Sequence, residues 1–329
     1  MPSDCQFSTA MPRQFWRSPI ALAAGVILAV GSVTVVAPSV ASAAESSPVG
    51  WASQNGGTSG GGGSSVTVST ATALKSALLS ATSQTVRVNG IISISGMYKV
   101  ASNKTVLGVG ANSGISGGGL TLSKVNNVII RNLVFRNAAD DSINVEQGTT
   151  NVWIDHNDLS AGNDGLADIK RGSDFITVSW NKFHHHDKTA LLGHSDGNSS
   201  QDLGHLRVTY HHNWFDATTQ RHPRVRFGNP VHVYNNYYRG NGGYGVASTC
   251  NAGVLVEKNY FEGVKSPVVT QTGDSPQGNV RLADNYLTGS GAPQSRNPDS
   301  VRGVPYAYTA DAAAAVKAVV MGGAGTGKI

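Results

Sequence analysis

The sequence predicts an all-β chain wound as a single-stranded right-handed parallel β-helix. Three observations carry that reading. A short pattern of alternating apolar residues ending in Asn recurs along most of the chain. The recurrence interval is in the low twenties, too short for the helix a βαβ unit needs. Glycine is abundant, at 40 of 329 residues, while only 14% of residues are charged, which excludes a helical bundle or coiled coil.

The repeats occupy residues 128–132, 152–157, 176–181, 206–213, 231–236, 254–259 and 280–285, and close on Asn132, Asn157, Asn181, Asn213, Asn236, Asn259 and Asn285. Their intervals are 25, 24, 32, 23, 23 and 26 residues. Strict alternation over short runs reads as strand. Each coil of a solenoid buries its inward side chains only by stacking on its neighbours. An asparagine at one phase of every coil is expected to form an amide ladder. A β-sandwich would not predict it. Two residues beyond each Asn stands an apolar residue, Val134, Leu159, Phe183, Phe215, Tyr238, Phe261 or Leu287. The long interval holds an insertion, 193–202, expected to protrude from one face, as catalytic loops often do.

The elements before and after the repeats follow. Arg13 and Arg17 precede an apolar run over 20–40, and Ala41-Ser42-Ala43 fits the small-x-small cleavage rule. This predicts a secretion leader over 1–43, with Ala44 as the first mature residue. The competing reading is a membrane anchor, since the run approaches spanning length. The Ala-x-Ala ending and the glycines after it favour cleavage, and a start at Met11 gives a leader of ordinary length. The expectation is a secreted, extracellular monomer without membrane attachment. Cys5 precedes or lies within the leader, so Cys250 stands alone and no internal disulfide is expected. A secreted domain of this kind depends on a large core.

Residues 44–63 form a glycine-rich opening expected to be flexible, and 64–329 form the β-helix domain. Residues 70–80 read as a short helix with Leu74, Leu78 and Leu79 on one face, placed to cap the coil end. Residues 84–95 and 103–109 read as first-coil strands. The alanine-rich stretch 311–321 reads as a helix packed outside.

The formal net charge is +5. A basic balance suggests nucleic acid, an anionic surface or an acidic polymer. No RNP signature or helix-turn-helix pattern is present, which argues against nucleic acid. The basic groups are concentrated instead. Arg221, Arg224 and Arg226 fall within six residues around Pro223. A packed core has no use for such a cluster, because each buried guanidinium must be paired. A carboxylate-rich substrate has, because the planar fork grips carboxylates. Asp141, Asp164, Asp168 and Asp187-Lys188 come from preceding repeats, so acids and bases of successive coils are expected to build one composite site.

Val152-Trp153-Ile154-Asp155-His156, Asp164-Gly165-Leu166-Ala167-Asp168, His185-His186-Asp187-Lys188, His211-His212-Asn213 and Arg221-His222-Pro223-Arg224-Val225-Arg226 keep one order and spacing. In these motifs the chain resembles the pectate lyase family of secreted parallel β-helix enzymes, from about Val49 to the C-terminus. The resemblance implies cleavage of polygalacturonate by β-elimination with Ca²⁺. By family position it implies Asp141, Asp164 and Asp168 as calcium ligands, and Lys188 and Arg226 as binders of substrate carboxylate. Arg221 matches the arginine assigned as the base that removes the C5 proton. Guanidinium is normally protonated, so that role calls for neighbouring cations and alkaline conditions. The family often carries a further acid two positions before Asp141, where this chain has Ala139; Asp140 stands next to Asp141 as a further candidate ligand.

Other residues have plainer readings. Arg224 alternates with Arg226 and is placed to bind substrate or pair with an acid. His184-His185-His186 has no zinc spacing, and adjacent strand residues point to opposite faces. Asp155 and His156 read as structural, and Trp153 and Trp180 as core. Three alternatives to a calcium-dependent pectate lyase stand beside it. A pectin lyase acting on methylated polymer would need neither the aspartates nor Lys188. A β-helix glycoside hydrolase would need a carboxyl pair and would leave the basic cluster unexplained. A carbohydrate-binding β-helix would show no turnover.

Overall fold

The computed structural model describes residues 45–329. The expected leader 1–43, with Cys5, and Ala44 lie outside them. Six successive coils, from the one opening with Asn126–Arg131 to the one opening with Gly253–Glu257, each contribute one strand to each of three faces. The first face is a ten-stranded sheet running from Ser64–Val68 to Asn279–Ala283. The second holds the short strands from Val134–Arg136 to Tyr286–Thr288. The third runs from Ile143–Glu146 through Ala167–Ile169, Leu191–Leu192, Arg224–Arg226 and Val246–Thr249 to Val268–Val269. Strand Gly114–Ser123 joins the last two, pairing with Val134–Arg136 at its start and Ile143–Glu146 at its end. All of these pairings are parallel, which makes the predicted β-helix the observed fold.

Alternation sets what each strand buries. Val152 and Ile154 point into the lumen and join the main core, while Trp153 points out and is buried under Ala52 and Ile129. The lumen carries a stack of rings, Phe183, Phe215, Tyr238 and Phe261, with centroids 5.0, 5.1 and 4.4 Å apart. Offset stacking of this kind stabilises beyond area burial alone. At the corner between the first and second faces one residue per coil is left-handed: His156, Trp180, His212, Asn235, Lys258 and Asp284. The residue after each is the ladder asparagine.

The ladder runs from Asn157 through Asn181, Asn213, Asn236 and Asn259 to Asn285. Each Nδ2 donates to the next Oδ1 at 2.9 to 3.0 Å, and also to a backbone carbonyl. Asn132 is not a member. Arg131 pairs in register with Asp155, so Asn132 stands one residue early, at the left-handed corner, with φ 58°. Leu133 takes the ladder position and its N–H donates to Asn157 Oδ1. The lumen residue of that coil is therefore Phe135, fully buried, and not Val134. Asparagine is selected twice here for different reasons, once for its amide and once for tolerance of the left-handed region.

The glycine-rich opening is not a loose tail. It lies across the outside of the first face and is bonded to coil after coil. Trp51 N–H donates to Thr209 and Ala52 N–H to Thr177. Asn151 donates to the carbonyls of Gln54 and Gly57, and Asn127 bonds Ser59 and Gly60. Asn127 and Asn151 belong to a second column of left-handed asparagines with Asn103. Glycine is needed where the strap meets backbone: a Cβ on Gly61 would lie 1.9 Å from the Gln84 carbonyl oxygen.

The predicted N-terminal helix forms as Ala71–Leu79, with Thr70 accepting from Ala73 N–H at its start. Its buried face is Leu74, Ala77 and Leu78. Leu79, one step off that face, is 51% exposed. The C-terminal helix is Val316–Gly323, later than expected, after a short turn at Ala313–Ala315. It packs outside, with Val316 and Val320 against Tyr237 and Gly323 over the Trp180 ring. Both Trp153 and Trp180 are buried as expected, beneath the outer strap and this helix and not in the lumen. Cys250 is a buried free thiol. Among the described residues no helix is long and apolar enough to cross a membrane.

Two expectations follow. Asn236→Ala leaves its two ladder neighbours and the Tyr210 carbonyl short of partners. It should lower stability by roughly 1–3 kcal/mol in chemical denaturation, the cost of unpaired buried groups. An unchanged unfolding midpoint would contradict the ladder's role. His222 is fully buried between the Thr218 hydroxyl and the Tyr244 carbonyl. Burial lowers its pKa to about 4, against weaker opposition from the Tyr244 and Gly245 carbonyls. A depressed value favours the neutral ring in the folded state. The stability it confers is present above about pH 6.5 and is lost as pH falls through about 4. Melting temperature should drop across that window, and less steeply in His222→Gln.

Candidate functional site

The site is built on the third face and on the corners that lead into it. Backbone bonds stack these corners in register: Ser142 to Gly165, Leu166 to Thr189, and Thr189 to Gln220. Asp141, Asp164, Lys188 and Arg221 therefore come from four successive coils. Asp168 follows in strand Ala167–Ile169, in register with Asn144 on one side. On the other side the next strand places Leu191 beside Asp168, and Leu191 pairs in turn with Arg224 on the strand after it. Because Ile169, Leu192 and Val225 fill the lumen, Asp168, Lys170, Arg224 and Arg226 all point outward.

The carboxylates converge. One oxygen each from Asp140, Asp141 and Asp164 lie within 4.8 Å of one another. Asp141 accepts from Gly165 N–H at 2.8 Å, and Asp168 from Leu191 N–H at 3.0 Å. Gly165 separates the two: a Cβ there would come within 2.4 Å of Asp168 Oδ1 and 2.7 Å of Asp141 Oδ1. A side chain at 165 would fill the space between the carboxylates, which is why the motif reads Asp-Gly. Asp168 is 1% exposed. Burial and then the charge of Asp141 push its carboxyl up to about 7, against Lys170, the Leu191 N–H and Arg221. Burial also raises Asp141, with Lys170 opposing. In Asp164 burial works upward too, but the hydrogen bond and charge of Lys188, with Arg221 and Lys170, hold it below the usual carboxylate range.

The basic groups interleave with these acids. Lys188 Nζ bonds Asp164 Oδ1 at 3.0 Å and Lys170 Nζ bonds Asp141 Oδ2 at 3.0 Å. Arg221 Nη1 stands 3.9 Å from Asp168 Oδ2, and its Nε is buried without a partner. His222, the next residue, is anchored inside, so the backbone that carries Arg221 is held from below. Arg226 Nε meets Asp196 Oδ1 at 2.5 Å. Arg224 donates to the Ser275 hydroxyl at 2.7 Å, not to an acid.

The donor set fits calcium. It consists of hard carboxylate oxygens with no imidazole or thiolate among them. Asp168 Oδ2 and Asn144 Oδ1 are buried with no hydrogen-bond partner, and Asn144 is the register neighbour of Asp168. Oxygens in that condition are costly unless a cation or water satisfies them. His184, His185 and His186 form no such cluster among the described residues. His184 bonds Asp158, and His186 the Asp164 carbonyl.

Asp155 is a buried structural acid, bonded by Arg131, His156 and Ser179 on the first face. All seven residues singled out from the sequence, Asp141, Asp164, Asp168, Lys188, Arg221, Arg224 and Arg226, lie on this face or its corners. Three contributors were missed. Lys170 stands two residues after Asp168, and strand alternation alone places it on the same side. Asp196 and Ser275 carry no periodic signal; only the long repeat interval marks the region of Asp196.

Comparison with known proteins shows the family. The family profile described as pectate lyase matches residues 17–329. A pectate trisaccharide-lyase of Bacillus licheniformis is 35% identical over 334 aligned residues, covering 92% of this chain and 96% of its own. Pectate lyase E of Dickeya chrysanthemi is 38% identical over 266, covering 65% and 69%. The crystal structure of a pectate lyase from Bacillus sp. N165, in complex with trigalacturonate, superposes with a TM-score of 0.76 at 31% identity, covering 85% of this chain and 99% of that one. The chain belongs to the pectate lyase family and is a polysaccharide lyase.

Proposed function

We propose that the protein is a secreted, monomeric pectate lyase that cleaves α-1,4-linked polygalacturonate by calcium-dependent β-elimination. The observation that carries this reading is the convergence of three carboxylates, Asp140, Asp141 and Asp164, beside a row of outward cations, Lys170, Lys188, Arg221 and Arg226. Secretion rests on the leader pattern over 1–43. The solved relative bound to trigalacturonate supports a uronate substrate.

In the reaction a base removes the C5 proton, the C4–O bond breaks, a C4–C5 double bond forms, and the leaving oxygen takes up a proton. The C5 proton is acidic because C5 bears the carboxylate, on which negative charge grows. Asp141, Asp164 and Asp168, with Asp140 alongside, would hold the calcium ion, which when bound would supply positive charge to that carboxylate. Lys188 and Arg226 grip substrate carboxylates and oppose the growing charge. Arg221, fixed by His222 and flanked by Lys188 and Arg224, is the residue placed to accept the proton. Burial, followed by the charge of Arg226, lowers the Arg224 pKa, so the neighbourhood penalises an additional cation. Hydrolysis would need two carboxyl groups opposed across a sugar, whereas these converge on one point.

Chelation should abolish the rise in ultraviolet absorbance on polygalacturonate. Ca²⁺ should restore it, and Mg²⁺ poorly, because of its stricter octahedral shell. Full activity in thoroughly chelated enzyme would remove the metal from the account. Arg221→Lys keeps a cation but loses the guanidinium geometry. Its kcat should fall at least about a hundredfold, the order expected for a lost general base, with calcium binding intact. Lys188→Ala should raise KM as well as lower turnover, since its partner is a carboxylate in both ground and transition states. Steady-state kinetics of both variants tests the assignment; a near-unchanged kcat in Arg221→Lys would return the role of base to an aspartate or a water.

A further inference from the structure

The outer surface of the third face is open at one end and walled at the other. Along the column that contains Asp168, the neighbours on one side are Asn144, Thr121 and Lys99. Exposure increases along them, from partly buried at Asn144 and Thr121 to exposed at Lys99. On the other side, beyond Arg224 and Arg226, the register partners are Ala247 and Thr249. Both should face outward, because Val225 faces the lumen, yet both are fully buried.

Two loops cover them. Residues 270–278 fold back over strand Val246–Thr249, with Gly278 N–H donating to the Ser248 carbonyl and Cys250 N–H to the Pro276 carbonyl. The insertion after Leu192 comes from the other direction. It is pinned by Asp202, fully buried, which accepts from Gly172 N–H at 2.8 Å and Asn198 Nδ2 at 2.8 Å. The loops meet above the arginines, where the Ser275 hydroxyl donates to Asp196 Oδ2 at 2.6 Å. Asp196 also takes Arg226, and Ser275 takes Arg224. Residues 79 apart in sequence thus form a bridge anchored on both arginines.

The cations repeat across the strands, along the solenoid axis, so a polyuronate with a carboxylate on every sugar is matched in that direction. Strands are spaced about 4.8 Å apart, close to the length of one pyranose. A chain extending past Arg226 runs into the bridge within about one sugar. A chain extending towards Lys99 meets open surface.

We propose that the Asp196–Ser275 bridge is an end stop: the substrate cleft closes one strand beyond Arg226, and the enzyme releases oligogalacturonates of one short length from the chain end held against it. This rests on the lyase reading above. The enzyme would then act from an end and not at random within the polymer.

The test uses the calcium-loaded enzyme on polygalacturonate. Products at low conversion are separated by anion-exchange chromatography, and viscosity is followed with ultraviolet absorbance. One short unsaturated or end-derived oligomer should exceed its neighbours by about tenfold, the discrimination that about 1.4 kcal/mol supplies. Viscosity should fall slowly relative to absorbance. Replacing residues 271–275 by two glycines should broaden the product lengths and speed the loss of viscosity, and Ser275→Ala should do so in part. Oligomers labelled at the reducing end identify which chain end meets the wall and do not depend on either variant folding. An even ladder of lengths with rapid viscosity loss from the wild-type enzyme overturns the end stop while leaving the lyase assignment in place. Absence of any unsaturated product overturns both.

Discussion

Everything at the site depends on the parallel register between coils. Hydrogen bonding fixes neighbouring strands about 4.8 Å apart, and alternation fixes which side chains face out. A carboxylate in one coil and a cation in the next are then held at ion-pair distance without any local sequence contact between them. Lys188 on Asp164 and Lys170 on Asp141 are such pairs, 24 and 29 residues apart. A slip of one residue would turn Asp168, Lys170, Arg224 and Arg226 into the lumen. The asparagine ladder, the stacked rings and the two outer braces all act against such a slip. They lie on other faces, and their bearing on the chemistry runs through the register.

That rigidity lets the site hold groups a softer scaffold would not. Asp141 and Asp168 are buried carboxylates, and burial makes each resist ionisation, helped in Asp168 by the charge of Asp141. In a mobile loop they would move apart or turn to water. Here Gly165 leaves the gap between them, and backbone N–H groups hold the two oxygens that border it. The arrangement costs stability unless positive charge enters. The basic groups serve the same balance from the other side, and Asp196 holds Arg226 in place at the walled end.

Much of this was legible in the sequence because the fold is periodic. The repeat interval alone specifies coils, and the asparagines from Asn157 onward sit at the phase read for them. The composite site was legible because acids and arginines fall at related positions in successive repeats. The failures share a cause: they concern contacts the period does not encode. Asn132 matched the pattern by letter but answers to a left-handed corner. The glycine-rich opening reads as flexible by composition, yet its glycines allow close approach to backbone such as that of Gln84. Leu79 was placed by helical spacing, whereas the cap turns Ala77 inward instead. The Asp196–Ser275 bridge joins two irregular loops, and nothing in either segment announces the other.

The central claim is that Asp141, Asp164 and Asp168, with Asp140 alongside, form one calcium site facing the row of basic residues. A crystal structure of the calcium-loaded protein tests it most directly. The expected result is one ion bound by oxygens of Asp141, Asp164 and Asp168, at the 2.3–2.6 Å typical of calcium, with Lys188 and Arg221 lining the space beside it. Calcium bound elsewhere, or none at saturating concentration with these aspartates still paired to Lys170 and Lys188, would contradict the account.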